Sequence, residues 1–405
     1  MRSPLVAIAA IVAAAIRLFW ILRRVLPEPA LDFSNFYLWA WAIRHNIDPY
    51  GPDLTPYADR LGISITPIPH SNYPPTFLLA FEPFSWMAPW TAYWVWAGLT
   101  VVLLIASVTL ILAEKNFRWP EILIVTSFAI VYRPVFTHFI YLQAQIVILF
   151  LLVMMWRALQ RRNDFAAGGW LAFAGLLKIF PLFMMLYLLC TRRWRALGYT
   201  LILFAAGFAL TVAIIGPLSF GFFSTLMEHA APAAGTALNP KIGIASTIVR
   251  IFGRLAPDAS SHTFVFGRMA LEAMLELIVL WLTARAIAHS RSNPLKAEYA
   301  FGMCVAGMVL FYPNSWSHYM VLLLLPLCQI VVATERGQAP VFVPQLAVIS
   351  FVLAEVSYNA AQKSIWHKHM NLGLWLIEGM FVSTLITYAA AYILTVGAEG
   401  VVRED

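Results

Sequence analysis

Residues 91–113 read TAYWVWAGLTVVLLIASVTLILA, an apolar run without a charged side chain. A helix rises about 1.5 Å per residue, so about twenty apolar residues cross a hydrocarbon core of about 30 Å. This stretch therefore predicts a membrane-spanning helix. The chain around it has 405 residues, of which 61% are hydrophobic and 12% charged, and its mean hydropathy is +0.76. A soluble core does not need so much apolar surface, and the composition predicts a polytopic membrane protein.

Similar apolar runs recur along the chain. Spans are predicted near residues 4–22, 91–113, 120–133, 141–156, 197–216, 267–288, 297–312, 318–334, 341–358 and 371–396. Two shorter pieces, 166–179 and 181–191, flank Lys178-Ile179-Phe180-Pro181 and predict a broken helix pair. Asn35–His45 and Pro74–Met87 are predicted to lie in the interface, although the second piece could instead be a membrane span. We expect an all-α fold of about 10 to 13 membrane helices in one domain, residues 1–405. The first span predicts a signal anchor rather than a cleaved signal peptide.

Basic residues in the short loops orient these helices. Most of them fall on one side of the predicted layout, which the positive-inside rule makes cytoplasmic; Arg23 and Arg24 count against that orientation. The opposite side then holds two long loops, 23–90 and 217–266. The net charge of +7 suits the cytoplasmic loops and anionic lipid, and does not indicate nucleic-acid binding.

Asp32 lies directly beyond the first span, in Leu31-Asp32-Phe33-Ser34-Asn35-Phe36-Tyr37. A carboxylate at a bilayer surface costs free energy unless it is solvated, paired or used, so Asp32 is a candidate functional residue. Two interpretations follow from the residues. Asp32 is either a base that accepts the proton of a hydroxyl nucleophile, or a cap of the helix that follows. If it is only solvated, the chain could instead be a transporter.

Other polar and aromatic residues are predicted to lie on the same side. Those expected to contact a substrate are Tyr37, Tyr73, Gln145, Lys178, Asn239, Lys241, Arg250, Trp316 and His318. Cationic and amide side chains bind phosphate, and aromatic rings stack on sugars, so the set predicts sugar transfer from a lipid phosphate. Structural alternatives exist, since Lys178 could snorkel to the interface and His318 could anchor its helix.

Several other chemistries lack their sequence signatures. The chain has no Asp-x-Asp motif and no Gly-rich nucleotide loop, so a soluble nucleotide-sugar donor is not expected. Cys190, Cys304 and Cys328 lie in apolar runs without metal-ligand spacing, which predicts neither disulfides nor a zinc site. We therefore expect no metal and no cofactor.

A set of short motifs carries a family resemblance over most of the chain. They are Asp32-Phe33-x-x-Phe36-Tyr37 with Asp48-Pro49-Tyr50, Tyr73-Pro74-Pro75 with Glu82-Pro83, Leu142-Gln143-Ala144-Gln145, Lys178-Ile179-Phe180-Pro181 followed by Arg192-Arg193-Trp194, the segment from Asn239 to Arg250, and Ser315-Trp316-Ser317-His318-Tyr319. Because these motifs occur in this order, the chain resembles glycosyltransferase family 87. It departs from the family pattern at Ala144, where Gly is usual, and at Asn239-Pro240-Lys241, where Asn-Gln-Ser is expected.

The resemblance implies a C-type glycosyltransferase fold in a bacterial inner membrane, with the active site on the periplasmic side. It implies a polyprenyl-phosphate sugar donor, usually mannose, and inverting transfer to a hydroxyl of an envelope glycolipid or glycan. The catalytic acidic residue of the family maps onto Asp32. Lys178, Arg250 and His318 are then candidates to hold the departing phosphate. Two alternatives stay open: a transporter or flippase for a lipid-linked sugar, and an accessory assembly protein without catalysis. A transporter is expected to show inverted repeats, and no repeat is evident.

Overall fold

The computed structural model describes residues 4–25, 31–51, 53–63, 70–230, 241–255, 262–366 and 370–397. Within these ranges the chain forms α-helices, short 3₁₀ helices and turns, with no β-strand. The predicted all-α class is confirmed. The prediction of a single domain over residues 1–405 stays a prediction.

The helices follow one another closely. In chain order they are α1 (Pro4–Val25), α2 (Leu31–Arg44), α3 (Thr55–Arg60), α4 (Pro75–Phe81), α5 (Pro89–Ala113), α6 (Trp119–Val131), α7 (Arg133–Tyr141), α8 (Gln145–Gln160), α9 (Asp164–Leu177), α10 (Met185–Cys190), α11 (Trp194–Ile215), α12 (Gly221–Ala230), α13 (Ile244–Leu255), α14 (His262–Ser290), α15 (Pro294–Phe311), α16 (Leu324–Glu335), α17 (Phe342–Trp366) and α18 (Met370–Gly397). The 3₁₀ helices are Glu82–Trp86, Phe180–Met184, Gly216–Phe220 and Ser317–Leu323.

Several of these segments are suited to cross a membrane. In the described ranges, five helical segments are long and apolar enough: Pro89–Ala113, Trp194–Leu226, Pro294–Phe311, Ser317–Glu335 and Glu378–Gly397. The pair α6 and α7, bent by 60°, would be a sixth. The chain is therefore a polytopic membrane protein. Every predicted span overlaps a helix. However, α8, which overlaps the predicted span 141–156, has only 16 residues, and α9, which overlaps the shorter piece 166–179, has 14. The larger predicted count of about 10 to 13 helices stays a prediction.

Two breaks in the helices place side chains at the candidate site. Tyr132 has ψ 120°, which ends α6 and starts the bend into α7. Leu142 then adopts a left-handed conformation with φ 50°, so α8 begins at Gln145, four residues after the start of the predicted span 141–156. The predicted break at Lys178 is present, because this residue is extended between α9 and the Phe180–Met184 helix.

Packing brings these breaks together at one end of the bundle. Helices α7 and α8 both contact the Ser317–Leu323 helix, and α2 packs on α4 and the Glu82–Trp86 helix and also touches α7. Helix α8 runs away from this region for about 18 Å to Arg157, which pairs with Glu114 at 3.0 Å. The basic loop after α8 therefore lies at the end of the helix opposite Gln145.

Candidate active site

The carboxylate of Asp32 lies at the start of a hydrogen-bonded chain of side chains. Asp32 is in the first turn of α2, where the helix dipole favours a negative charge. Its Oδ2 accepts a hydrogen bond from Nε2 of Gln143. Oε1 of Gln143 in turn accepts a hydrogen bond of 2.7 Å from the hydroxyl of Tyr73. These contacts fix the orientation of the carboxylate, and they bring together residues from three distant parts of the chain.

The electrostatic setting of Asp32 suits a proton acceptor. Burial raises the pKa of Asp32 to about 6, while the Gln143 hydrogen bond and the charge of Lys178 both act to lower it. At pH 7 the group is therefore mostly ionised, yet more basic than an ordinary aspartate. A base is most effective when its pKa lies near the working pH.

Lys178 is held between two tyrosine rings. Its Nζ lies 4.4 Å from the ring centroid of Tyr73 and 4.7 Å from that of Tyr319. These are cation–π distances, and the side chain is buried. Because the hydroxyl of the same Tyr73 bonds Gln143, one ring connects the ammonium group to the Asp32 chain. The interpretation of Lys178 as a residue that only snorkels does not account for this burial between rings.

Aromatic rings continue beyond Lys178. The ring of Phe180 stacks on Tyr312 at 5.1 Å, and Tyr312 lies 5.5 Å from Tyr319. On the other side of Lys178, Phe36 packs edge-on against Tyr73 at 4.8 Å. Two tyrosine rings therefore contact the ammonium group and further aromatic rings pack behind them, and such apolar surroundings strengthen the interaction of the ammonium group with an anion.

Among the buried polar atoms of the described residues that lack a hydrogen-bond partner, five belong to three side chains on α7, α8 and the Ser317–Leu323 helix. They are Nδ1 and Nε2 of His138, Nε2 and Oε1 of Gln145, and Nδ1 of His318. His138 and Gln145 are fully buried and His318 is 4% exposed. His138 lies on α7 and Gln145 is the first residue of α8, and both helices contact the Ser317–Leu323 helix, which carries His318. Both imidazoles are within electrostatic range of Lys178.

Lys241 and Arg250 stabilise the described segment 241–255 within the second predicted loop. Nζ of Lys241 donates to Oδ1 of Asn314 at 2.5 Å. Arg250 donates from Nε and Nη2 to the two carboxylate oxygens of Glu378 at 2.8 and 2.7 Å, and from Nη1 to the backbone carbonyl of Lys241. Burial lowers the pKa of Lys241. The guanidinium of Arg250 is thus bound to a carboxylate, which gives it a structural role; its predicted contact with phosphate stays a prediction.

The same segment packs tightly on the residues after α15. The backbone N–H of Ile242 donates to the Ser315 carbonyl at 2.6 Å. A Cβ at Gly243 would lie 2.4 Å from the Tyr312 carbonyl oxygen, so only glycine fits this close approach. The ring of Tyr312 is one of the aromatic rings that pack next to those in contact with Lys178. The loop that contains Gly243 therefore contacts the candidate site through the backbone of Tyr312.

The remaining predicted residues have mixed positions. Tyr37 is buried, and its hydroxyl donates to the Met87 carbonyl at 2.9 Å, which connects α2 to the segment before α5. Trp316 is partly buried and comes directly before the Ser317–Leu323 helix. Asn239 lies outside the described residues. Asp48 accepts a hydrogen bond of 2.8 Å from the Tyr50 backbone, as expected for a turn.

Gln143 was not among the predicted site residues, although it lies in the motif Leu142-Gln143-Ala144-Gln145. The predicted residue of this motif is Gln145, but the left-handed residue Leu142 directs the chain so that Gln143 is the one that bonds Asp32. Tyr319 and His138 were predicted to lie on the same side of the membrane as Asp32, but not to contact the substrate. A polar residue in an apolar run, as His138 is in α7, was the available signal. Among the described residues, no group of His, Cys, Asp and Glu side chains is placed to hold a metal ion.

Comparison with known proteins identifies one family. A model of glycosyltransferase family 87 matches residues 72–313. The matched range includes Tyr73, Gln143 and Lys178, whereas Asp32 lies before it and His318 after it. No solved structure matches the chain at a significant level.

Curated relatives come from mycobacteria. A polyprenol-phosphate-mannose-dependent alpha-(1-2)-phosphatidylinositol mannoside mannosyltransferase of Mycobacterium tuberculosis is 27% identical over 269 residues, which are 62% of this chain and 60% of the relative. The protein of the same description from Mycolicibacterium smegmatis is 26% identical, over 80% of this chain and 75% of the relative. A phosphatidylinositol pentamannoside mannosyltransferase of M. tuberculosis is 27% identical, over 60% of this chain and 53% of the relative. The matches thus cover 53% to 75% of the length of these relatives.

Proposed function

The chain belongs to glycosyltransferase family 87, and on that premise we propose that it transfers a mannosyl group from a polyprenyl-phosphate donor to a hydroxyl of an envelope glycolipid or glycan. The observation that carries this proposal is the arrangement of Asp32 and Lys178. A carboxylate bound by Gln143 and an ammonium group between two tyrosines lie within electrostatic range of each other, at one end of a membrane bundle.

The proposed reaction is a single displacement. A carboxylate oxygen of Asp32 accepts the proton of the acceptor hydroxyl while that oxygen forms a bond to the anomeric carbon. The bond from the anomeric carbon to the phosphate oxygen breaks on the opposite side of the sugar, and the configuration inverts. The lipid phosphate leaves with the bonding electron pair. Its increased negative charge is stabilised by Lys178, in apolar surroundings.

The side of the membrane is part of the proposal. The candidate site and the basic residues Arg157 and Arg161 lie at opposite ends of α8. If the positive-inside rule holds for this chain, the site faces the periplasm of a bacterial inner membrane. A lipid-linked donor suits that compartment, because both the donor and a lipid acceptor can reach the site by diffusion in the bilayer.

The relatives suggest which acceptors to test first, because their descriptions state phosphatidylinositol mannosides. Purified protein in nanodiscs is incubated with polyprenyl-phosphate mannose labelled in the sugar and with phosphatidylinositol mannosides of increasing size. The proposal predicts a labelled glycolipid whose new linkage has the anomeric configuration opposite to that of the donor. A transporter would instead move the labelled donor across a proteoliposome without a chemical change, and that result would contradict the proposal.

A further inference from the structure

The unpartnered polar atoms of His138, Gln145 and His318 require an explanation. In the described part of the chain these three side chains contribute five buried nitrogen or oxygen atoms without a hydrogen-bond partner. Leaving a buried polar group unsatisfied costs about 1–3 kcal/mol. Both α7 and α8 contact the Ser317–Leu323 helix, and both imidazoles are within electrostatic range of Lys178. Such a concentration is expected where a ligand supplies the missing partners.

The chemistry of these atoms selects the kind of ligand. The carbonyl oxygen Oε1 of Gln145 only accepts hydrogen bonds, and its Nε2 only donates. A neutral imidazole has one nitrogen that donates and one that accepts, and a second positive charge beside the buried Lys178 is unfavourable. The set therefore needs a ligand that both donates and accepts. An ionised phosphate only accepts, whereas each hydroxyl of a sugar does both.

We propose that His138, Gln145 and His318 form a binding site for the hydroxyl groups of the transferred sugar, distinct from the phosphate site at Lys178. This inference rests on the proposed function for the identity of the donor. The inference adds His138 as a substrate-binding residue. It also makes the sugar, instead of the departing phosphate, the proposed ligand of Nδ1 of His318. The position fits, because Gln145 is two residues beyond Gln143, which bonds Asp32, and because the sugar must lie between the base and the leaving group.

Equilibrium binding tests the inference without requiring turnover. Affinities of the wild-type protein in nanodiscs are measured for polyprenyl-phosphate mannose, for donors that each lack one sugar hydroxyl, and for polyprenyl phosphate. We expect the complete donor to bind more tightly than polyprenyl phosphate, and removal of a bound hydroxyl to weaken binding about tenfold or more. Equal affinity of all these ligands would overturn the inference, even if the protein transfers mannose.

Variants then assign the effect to Gln145 and His138. Gln145→Leu and the milder His138→Asn should reduce the preference for the complete donor over polyprenyl phosphate about tenfold, and leave the affinity for polyprenyl phosphate unchanged. Gln329→Leu is the matched control, since Gln329 is equally buried but donates to the Glu298 carbonyl at 3.0 Å, away from the site. A loss of polyprenyl phosphate affinity in the site variants would make this a phosphate site and overturn the inference. If wild-type binding is selective but no mannose is transferred, it is the proposed function that fails.

Discussion

Replacing Gln143 by Leu should shift the pH dependence of the reaction to higher pH and should not abolish activity. The side chain donates to the Asp32 carboxylate and lowers its pKa, which burial has raised to about 6. A hydrogen bond to a charged group contributes about 1.5–3 kcal/mol, and one pKa unit corresponds to about 1.4 kcal/mol. Losing the bond should therefore raise the pKa of Asp32 by about one to two units.

The sign and size of the effect on rate follow from ionisation. The base acts only as the carboxylate, so kcat/KM falls below the pKa and is constant above it. At pH 7 the ionised fraction should drop from about nine tenths to between about one half and one tenth, whereas at pH 9 most activity should return. The assay is kcat/KM for mannose transfer from a labelled polyprenyl-phosphate donor between pH 5 and 9.

Two matched variants sharpen this test. Tyr73→Phe keeps the ring beside Lys178 but removes the hydroxyl that donates to Gln143, so the shift should have the same direction and be smaller. Gln329→Leu should leave the profile unchanged. If Gln143→Leu lowers activity equally at all pH values, with the acid limb still at about 6, the assigned contact with Asp32 is refuted.

Three further predictions concern the surrounding residues. Lys178→Gln should weaken the affinity for polyprenyl phosphate about tenfold or more, measured by equilibrium binding, and unchanged affinity would exclude Lys178 as the phosphate ligand. Arg250→Gln removes the bidentate partner of Glu378, which keeps its ion pair with Arg254, and should lower stability by about 2 kcal/mol, measured by denaturant unfolding in detergent; a neutral effect would remove the structural role. Gly243→Ala brings a Cβ to 2.4 Å from the Tyr312 carbonyl oxygen and should lower the melting temperature, whereas Ala accepted without loss would show that the close approach is not maintained.

The sequence predicted those features that depend on local pattern. Apolar runs of sufficient length predicted the helices, and Lys178-Ile179-Phe180-Pro181 predicted the break at Lys178, because proline and the polar residue interrupt an apolar stretch. Asp32 was predicted as a site residue because a charged side chain next to a membrane span costs free energy unless it is solvated, paired or used. Each of these signals lies within a few neighbouring residues.

Local sequence patterns did not predict contacts between residues that are distant in the chain. Arg250 was predicted to bind phosphate, but its carboxylate partner Glu378 is 128 residues away in the chain. The choice between Gln143 and Gln145 depends on the left-handed conformation of Leu142, which a residue other than glycine rarely adopts. Tertiary packing determines both, and hydrophobic patterns in the sequence do not record which side chains meet.

The most direct test of the central claim is the turnover of the Asp32→Asn protein. Asparagine keeps the size of the side chain and an oxygen for Gln143 but cannot accept the proton. The account predicts unchanged folding, donor affinity within about twofold of wild type, and a rate of mannose transfer lower by a factor of about 100 or more, since general base catalysis contributes about 10²–10⁴. Transfer at a near-normal rate by a well-folded Asp32→Asn protein would contradict the assignment of Asp32 as the base.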